Sequence, residues 1–324
     1  MSGAAQLAQS LVAGDRRALS KAITLVESSL EADRQTAREL LSHLTEPKAT
    51  FRIGVTGVPG AGKSTLIDGL GLAAVAAGKR VAVLAVDPSS RQSGGSVLGD
   101  KTRMTQLSSV PSAFVRPSPT RGVLGGTAAR TREVILLCEA AGYDVIFVET
   151  VGVGQSEERV ASMVDCVLLV LLAGAGDELS SMKRGVLEAA DLIAFNKADA
   201  GPAQAVQNEA ASLRASLSIS RPGDMPPVLA ASALEGAGVG ELWAALLQQH
   251  AEAEQHGALA RRRLAQRRSW FESALEEALL AAFANSPDLA LAKAAAEYAV
   301  DAGIVSPVEA AQRLADQAIP GQRS

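Results

Sequence analysis

The stretch from Phe51 to Ala77, FRIGVTGVPGAGKSTLIDGLGLAAVAA, decides the fold class. Residues 51–56 are rich in β-branched and aromatic side chains and predict a strand, whereas residues 63–77 have the composition of a helix. Between them the chain satisfies the pattern G-x-x-x-x-G-K-[ST] with Gly57, Val58, Pro59, Gly60, Ala61, Gly62, Lys63 and Ser64, followed by Thr65. A strand, a glycine-rich turn and a helix in this order predict a phosphate-binding loop.

The chemistry of this loop follows from its residue types. Glycines let the backbone turn so tightly that successive N–H groups point at phosphate oxygens, and the helix that follows adds the positive end of its dipole. Lys63 is expected to reach the β- and γ-phosphates, and the Ser64 hydroxyl is expected to ligate Mg²⁺.

The rest of the chain supplies a sheet around this loop. Further β-rich runs occur at 81–86, 113–116, 144–149, 166–172, 191–195 and 227–231, and most are separated by segments long enough for a helix. Several runs are apolar without alternation, as in parallel strands covered on both faces. The sequence therefore predicts an α/β fold with a doubly wound, mostly parallel sheet. We expect residues 1–48 to form an N-terminal helical extension, 49–250 the nucleotide-binding domain and 251–324 a C-terminal helical segment.

Composition excludes several function classes. Aromatic residues make up 3% of the chain and the formal net charge is −4, so neither a stacking platform nor a basic surface for nucleic acid is expected. The apolar run 166–175 is about half the roughly 20 residues that span a bilayer, and no secretory leader is recognised, so a cytoplasmic protein without a membrane partner is predicted. Cys138 and Cys166 have no paired spacing and are interpreted as buried free thiols.

Three acidic residues are candidates for a metal site with Ser64. Glu149 ends a predicted strand, Asp87 ends another, and Asp100 lies in a glycine-containing loop. A nucleotide hydrolase of this type needs a carboxylate at a neighbouring strand end to hold Mg²⁺ or its waters. A strand-end acid is also a common helix cap, and that alternative stays open for each of them.

The segment after Glu149 has the character of a nucleotide-sensing switch. Gly152 is placed to offer its amide to the γ-phosphate. Small GTPases carry a water-orienting glutamine directly after such a glycine, but Val153 occupies that place and Gln155 lies two residues further on. Hydrolysis by the chain alone is therefore expected to be slow. The candidate catalytic residues are Lys63, Glu149, Asp87, Asp100 and Gln155.

A second motif predicts which base is bound. Asn196-Lys197-Ala198-Asp199 follows a predicted strand, and the Asp199 carboxylate can accept from both N1–H and the exocyclic amine of guanine, a donor pair that adenine lacks. The Lys197 stem can cover the base, and Asn196 can brace the loop. The backbone of Ser232, Ala233 and Leu234 is a candidate donor to the guanine oxygen. GTP and GDP are the predicted ligands, with Mg²⁺.

With these motifs in place, the chain resembles the MeaB/ArgK family of P-loop GTPases, which includes the methylmalonic aciduria type A proteins. The resemblance is carried by residues 14–19, 23–28, 57–65, 86–90, 99–104, 149–157 and 196–199. It implies a GTPase chaperone of an adenosylcobalamin-dependent acyl-CoA mutase, methylmalonyl-CoA mutase or a relative, that gates cofactor loading, protection and reactivation. It also implies a homodimer joined by the C-terminal helices, and a third switch at 174–183, where Ser180 replaces an expected glutamine.

Other interpretations of the same motifs remain. One is a metal-delivery GTPase, for which the scattered cysteines and histidines supply no ligand cluster. Another is a kinase that transfers phosphate to a transport protein, and a third is a nucleotide-binding scaffold without turnover. The arginines at 261–263, 267 and 268 are interpreted as a solvated helix face. The alternative is that this long helix, which has an apolar face, binds a partner subunit.

Overall fold

The computed structural model describes residues 2–44, 49–86, 104–116, 127–150, 156–172, 184–200, 203–220, 223 and 225–318. Within them lie seven strands: β1 (Phe51–Gly57), β2 (Val81–Val86), β3 (Ala113–Arg116), β4 (Val145–Thr150), β5 (Cys166–Leu172), β6 (Leu192–Asn196) and β7 (Val228–Ala230). The α-helices of the same residues are α1 (Gly3–Val12), α2 (Arg16–Glu27), α3 (Glu31–Ser42), α4 (Lys63–Ala76), α5 (Thr105–Ser109), α6 (Thr127–Ala140), α7 (Ser156–Ala161), α8 (Arg184–Ala189), α9 (Ala203–Ser220), α10 (Val239–Gln255), α11 (Ala258–Ala284), α12 (Pro287–Asp301) and α13 (Pro307–Ala318).

The strands form one parallel sheet in the order β3-β2-β4-β1-β5-β6-β7. Strand β1 lies at the centre, with Val55 opposite Glu149 of β4 and Gly57 opposite Val170 of β5. From β1 the chain passes to β2 on one side, and from β4 it crosses to β5 on the other. Ligands of open α/β sheets bind beyond the carboxyl ends of the strands at such a reversal, and the loop after β1 lies there.

Helices cover both faces of the sheet, because alternate residues of each strand point to opposite sides. Ile146 and Val148 of β4 pack with α1, α2, α3, α6 and α7, whereas Phe147 packs with α4, α5 and α10. Further along the first face, α8 and α9 cover Leu169 of β5 and Phe195 of β6. The predicted doubly wound α/β sheet is confirmed.

The predicted N-terminal helices are present and belong to the same core. Leu11, Leu19, Ile23 and Leu40 are fully buried against α6 and the sheet. The Asp15 carboxylate caps α2 by accepting from the backbone N–H of Arg17 at 2.7 Å. Residues 2–44 therefore belong to the helical layer that covers β2 and β3 on this face of the sheet.

The chain divides into two compact units, residues 1–264 and 265–324. In the second unit α12 packs against α13, and Ala310 is buried. Many large apolar side chains of this unit are exposed: Phe271, Leu275, Leu279, Leu280, Leu291, Tyr298, Ile304 and Val308. In the described part of the chain, no helix is both long enough and apolar enough to cross a lipid bilayer.

The arginine cluster at the start of α11 corrects one interpretation. Arg261, Arg262, Arg267 and Arg268 are exposed, but Arg262 and Arg263 are bound to the amino edge of the sheet. Arg263 donates to both carboxylate oxygens of Asp165 at 2.8 and 2.6 Å, and Arg262 makes a two-pronged ion pair with Asp191. These hydrogen bonds raise the pKa of both guanidinium groups. The solvated-face interpretation is therefore wrong for Arg263, whereas Arg262 is 41% exposed and also forms an ion pair.

The two cysteines are buried and free, as predicted. Burial raises the pKa of both thiols, so neither has the thiolate character of a nucleophile or a metal ligand.

Candidate functional site: the carboxyl edge around β1

The loop between β1 and α4 is shaped by glycines that no other residue can replace without strain. Gly57 ends β1 at φ 145°, and a Cβ there would lie 2.0 Å from the carbonyl oxygen of Val170 on β5. Gly62 precedes α4 at φ 82°, and a Cβ there would lie 2.5 Å from the amide nitrogen Nδ2 of Asn196. The loop is thus held tightly against β5 and the end of β6.

Lys63 begins α4 and folds back across the loop. Its side chain is only 7% exposed, and Nζ donates to the carbonyl oxygens of Gly57 at 2.9 Å and Val58 at 3.0 Å. Gly62 has no side chain to cap this helix, and the first N–H groups of any α-helix lack intrahelical partners. Positive charge and backbone donors therefore converge on one place, as an anion site requires.

Ser64 and Glu149 form the polar pair beside this loop. The Ser64 hydroxyl donates to Oε1 of Glu149 at 2.6 Å, and both residues are 7% exposed. Glu149 is brought there because β4 pairs with β1 directly below the loop. A hydroxyl and a carboxylate are hard oxygen donors, which suit Mg²⁺. The donor set fits that ion, and the described contact of Glu149 is with the helix that follows the loop.

Asn196 connects the loop to the region expected to read the base. Its Nδ2 donates to the carbonyl oxygen of Ala61 at 2.7 Å, and its Oδ1 accepts from the N–H of Ala233 at 2.9 Å. The side chain is 1% exposed. One buried amide therefore ties together three segments that are far apart in sequence.

The residues after Asn196 lie at the same edge. Lys197 adopts φ 59°. Its Cε lies 3.9 Å from the point that a Cβ on Gly62 would occupy, so its stem passes beside the loop. Asp199 lies in a short 3₁₀ turn, Ala198–Ala200, and is exposed. Ser232 is buried and its hydroxyl accepts from the N–H of Glu235, while Leu234 is 85% exposed.

The structure thus brings residues 57–65, Glu149, 196–199 and 232–234 to one edge of the sheet. Asp87, Asp100, Gly152 and Gln155 lie outside the described residues, as do Val153 and the segment 174–183 with Ser180.

Two buried hydroxyls at this edge were not singled out from the sequence. The side chains of Thr56 and Thr150 are 1% and 0% exposed, and their Oγ1 atoms lie 3.1 Å apart. Each threonine adjoins a motif residue, Gly57 or Glu149. Their pairing depends on strand order, which no local pattern reveals.

Comparison with known proteins decides the family. The family described as "Methylmalonyl Co-A mutase-associated GTPase MeaB" matches residues 19–288. The chain belongs to the MeaB family of GTPases. The match runs from α2 into α12 and includes every described residue of the carboxyl-edge site. As a MeaB-family member the protein is a GTP hydrolase.

Individual relatives align with this MeaB-family chain over nearly its whole length. A putative GTPase of Caulobacter vibrioides is 52% identical over 308 residues, 94% of each chain. The mouse methylmalonic aciduria type A homolog, a mitochondrial protein, is 42% identical over 318 residues, 94% of this chain and 77% of that one. A crystal structure of a LAO/AO transport system kinase superposes with a TM-score of 0.74 at 34% identity and covers 98% of both chains. This last similarity agrees with the seven-stranded P-loop fold.

Proposed function

We propose that this GTPase is a chaperone of an adenosylcobalamin-dependent acyl-CoA mutase and uses GTP binding and hydrolysis to gate loading, protection and reactivation of the cofactor. The observation that carries the proposal is the family match itself, because the family is described by its association with methylmalonyl-CoA mutase. The mouse relative is named for methylmalonic aciduria, which points to the same enzyme. The match also covers α11 and reaches the first residues of α12.

In this proposal the loop after β1 holds the phosphates of GTP. The backbone N–H groups of residues 57–62 other than Pro59, which has none, and the Lys63 ammonium surround the phosphate oxygens. The Ser64 hydroxyl and the Glu149 carboxylate hold Mg²⁺ or its waters, with Asp87 and Asp100 as further candidate ligands. Bound there, Mg²⁺ would neutralise charge that develops on the phosphates. The 2.6 Å contact between Ser64 and Glu149 supports this assignment.

The base is proposed to lie against residues 196–199 and 232–234. Asp199 accepts from guanine, Lys197 covers the ring, and the backbone of the second segment donates to the guanine oxygen. Asn196 supports the proposal because it holds both segments to the phosphate loop. A rigid link of this kind fixes the spacing between phosphate and base contacts.

Turnover is proposed to be slow until the mutase binds. Val153 follows Gly152 where small GTPases carry their water-orienting glutamine. We propose Gln155 as the nearest residue able to take that role once a partner reshapes the segment.

The second unit is proposed to form a homodimer contact. Its exposed apolar side chains, among them Phe271 at 67% and Leu279 at 61%, support the proposal, because exposed apolar surface can mark a protein–protein contact. Light scattering should give twice the mass of one chain. Phe271→Glu with Leu279→Glu should return it to the mass of a monomer.

The chaperone proposal is tested by GTP turnover with and without candidate acyl-CoA mutases. The expected result is complex formation and faster release of phosphate with one such mutase and with no unrelated enzyme. If no mutase binds or accelerates turnover, the chaperone role is wrong, although GTP hydrolysis by the chain stands.

A second candidate is a kinase that acts on a transport protein, favoured by the structural similarity to the LAO/AO transport system kinase. Incubation with γ-labelled GTP separates the two candidates. Label retained on an acceptor protein would favour the kinase, and label released as free phosphate would favour the chaperone. Equilibrium dialysis with Ni²⁺ or Zn²⁺ tests the metal-delivery alternative in the same preparation.

A further inference from the structure

The hydroxyls of Thr56 and Thr150 form a buried link between the two strand ends that carry the site. Thr56 directly precedes Gly57 on β1, and Thr150 directly follows Glu149 on β4. The two Oγ1 atoms are 3.1 Å apart, and Oγ1 of Thr150 also lies 3.4 Å from the carbonyl oxygen of Val55. The Thr150 hydroxyl is the donor in both contacts and shares its proton between Oγ1 of Thr56 and that carbonyl.

The link lies one residue beyond the last backbone pair of β1 and β4. The backbone ladder between β1 and β4 ends at the pair Val55 and Glu149, and Thr56 is paired in backbone register with Leu169 of β5 instead. Beyond that point the two threonine side chains are the described connection between β1 and β4. They act one residue from the phosphate loop on one strand and one residue from Glu149 on the other.

The same face of β1 is tightly packed just below the link. A Cβ added to Gly54 would project from this face and lie 2.4 Å from Cγ1 of Val160 in α7. The described helix that follows Thr150 in the chain is α7, which packs against β1 through Val160. This close packing leaves little room for the end of β1 to shift.

We infer that the Thr56–Thr150 hydroxyl pair is a positioning element that fixes the Glu149 carboxylate against Ser64 and so sets how strongly Mg²⁺ enhances GTP binding. The inference rests on the proposed metal role of Ser64 and Glu149. Neither threonine is assigned contact with GTP. Each acts through the strand end that it holds.

The test compares nucleotide affinity with and without the metal. The dissociation constant of a fluorescent GTP analogue is measured for the full chain in excess EDTA and in saturating Mg²⁺, and their ratio is the Mg²⁺ enhancement. Thr150→Val and Thr56→Val should each lower this ratio about tenfold, the factor that corresponds to a hydrogen bond worth roughly 1.4 kcal/mol. Affinity in EDTA should stay within about twofold, because the loop itself is intact. Thr150→Ser, which keeps the hydroxyl, should have the same ratio as the wild type.

Two further variants separate positioning from simple stability. Thr50→Val removes a buried hydroxyl that donates to the carbonyl of Tyr143 at 3.0 Å near the opposite end of β1, so it should lower Tm without changing the ratio. The double variant Thr56→Val/Thr150→Val leaves no lone buried hydroxyl, so its Tm should recover towards that of the wild type. Its Mg²⁺ enhancement should remain low, because the link is missing.

The inference is overturned if the single variants keep the wild-type ratio, or if the ratio recovers together with Tm in the double variant. If the wild-type chain binds GTP with the same affinity in EDTA and in Mg²⁺, the proposed metal site is refuted as well. A chain that binds no GTP would refute the proposed function before any threonine variant is considered.

Discussion

Gly60 and Gly62 offer a matched pair for testing how the phosphate loop is held. Both adopt φ 82°, so alanine at either position meets the same left-handed backbone strain, about 1 kcal/mol. Their surroundings differ. A Cβ at Gly60 meets no atom within 4 Å, whereas one at Gly62 lies 2.5 Å from Nδ2 of Asn196.

The structure sets the size of the difference. Gly62→Ala must displace the Asn196 amide, which donates to Ala61 at 2.7 Å and is 1% exposed. Breaking that bond and leaving its buried partners unpaired costs about 1–3 kcal/mol. We therefore expect Gly62→Ala to lower the free energy of unfolding by about 3 kcal/mol and Gly60→Ala by about 1 kcal/mol.

The assay is urea unfolding of the nucleotide-free chain, followed by fluorescence of the buried Trp243 with Trp270 replaced by phenylalanine. In an Asn196→Ala background, Gly62→Ala should cost only the backbone strain, because the clashing amide is gone. Equal losses for the two glycine variants, or an unchanged cost in that background, would refute the proposed role of Asn196 as the brace of the loop.

Three other changes have defined outcomes. Glu149→Gln removes the charge but not the volume, so GTP hydrolysis in a phosphate-release assay should fall about 100-fold or more, while GTP affinity in EDTA is kept. Arg263→Met strips two donors from a buried carboxylate and should lower the free energy of unfolding by about 3 kcal/mol, whereas the exposed Arg267→Met should not. Burial lowers the pKa of His250 from 6.5, so the folded chain favours the neutral ring and should lose stability as pH falls below that value. His250→Gln should flatten this loss in urea unfolding, and the exposed His43→Gln should leave it unchanged.

Much of the fold was predictable because its signals are local. The run of strands and the glycine pattern of 57–64 each depend on neighbours within a few residues. Every observed strand end coincides with the predicted one or lies one residue from it. The predicted division at 1–48 and 49–250 remains a prediction, although residues 2–44 share one hydrophobic core with the sheet.

The arginines of α11 show where local reasoning fails. Their spacing and charge are those of a solvated helix face, yet Arg262 and Arg263 bind aspartates about 70–100 positions earlier in the chain. Only the packing of α11 against the amino edge of the sheet brings those charges together.

By itself, the sequence determined that the chain has a phosphate loop, a guanine motif and a parallel α/β sheet, because these depend on residue type and short-range spacing. The tertiary structure decided how they are joined: Asn196 braces the loop, Glu149 meets Ser64, and Thr56 meets Thr150. These contacts span 85 to 135 positions, and they exist because parallel pairing places β4, β1, β5 and β6 side by side with their carboxyl ends at one edge. The order of strands is a property of the whole core, so no single stretch of the sequence carries it.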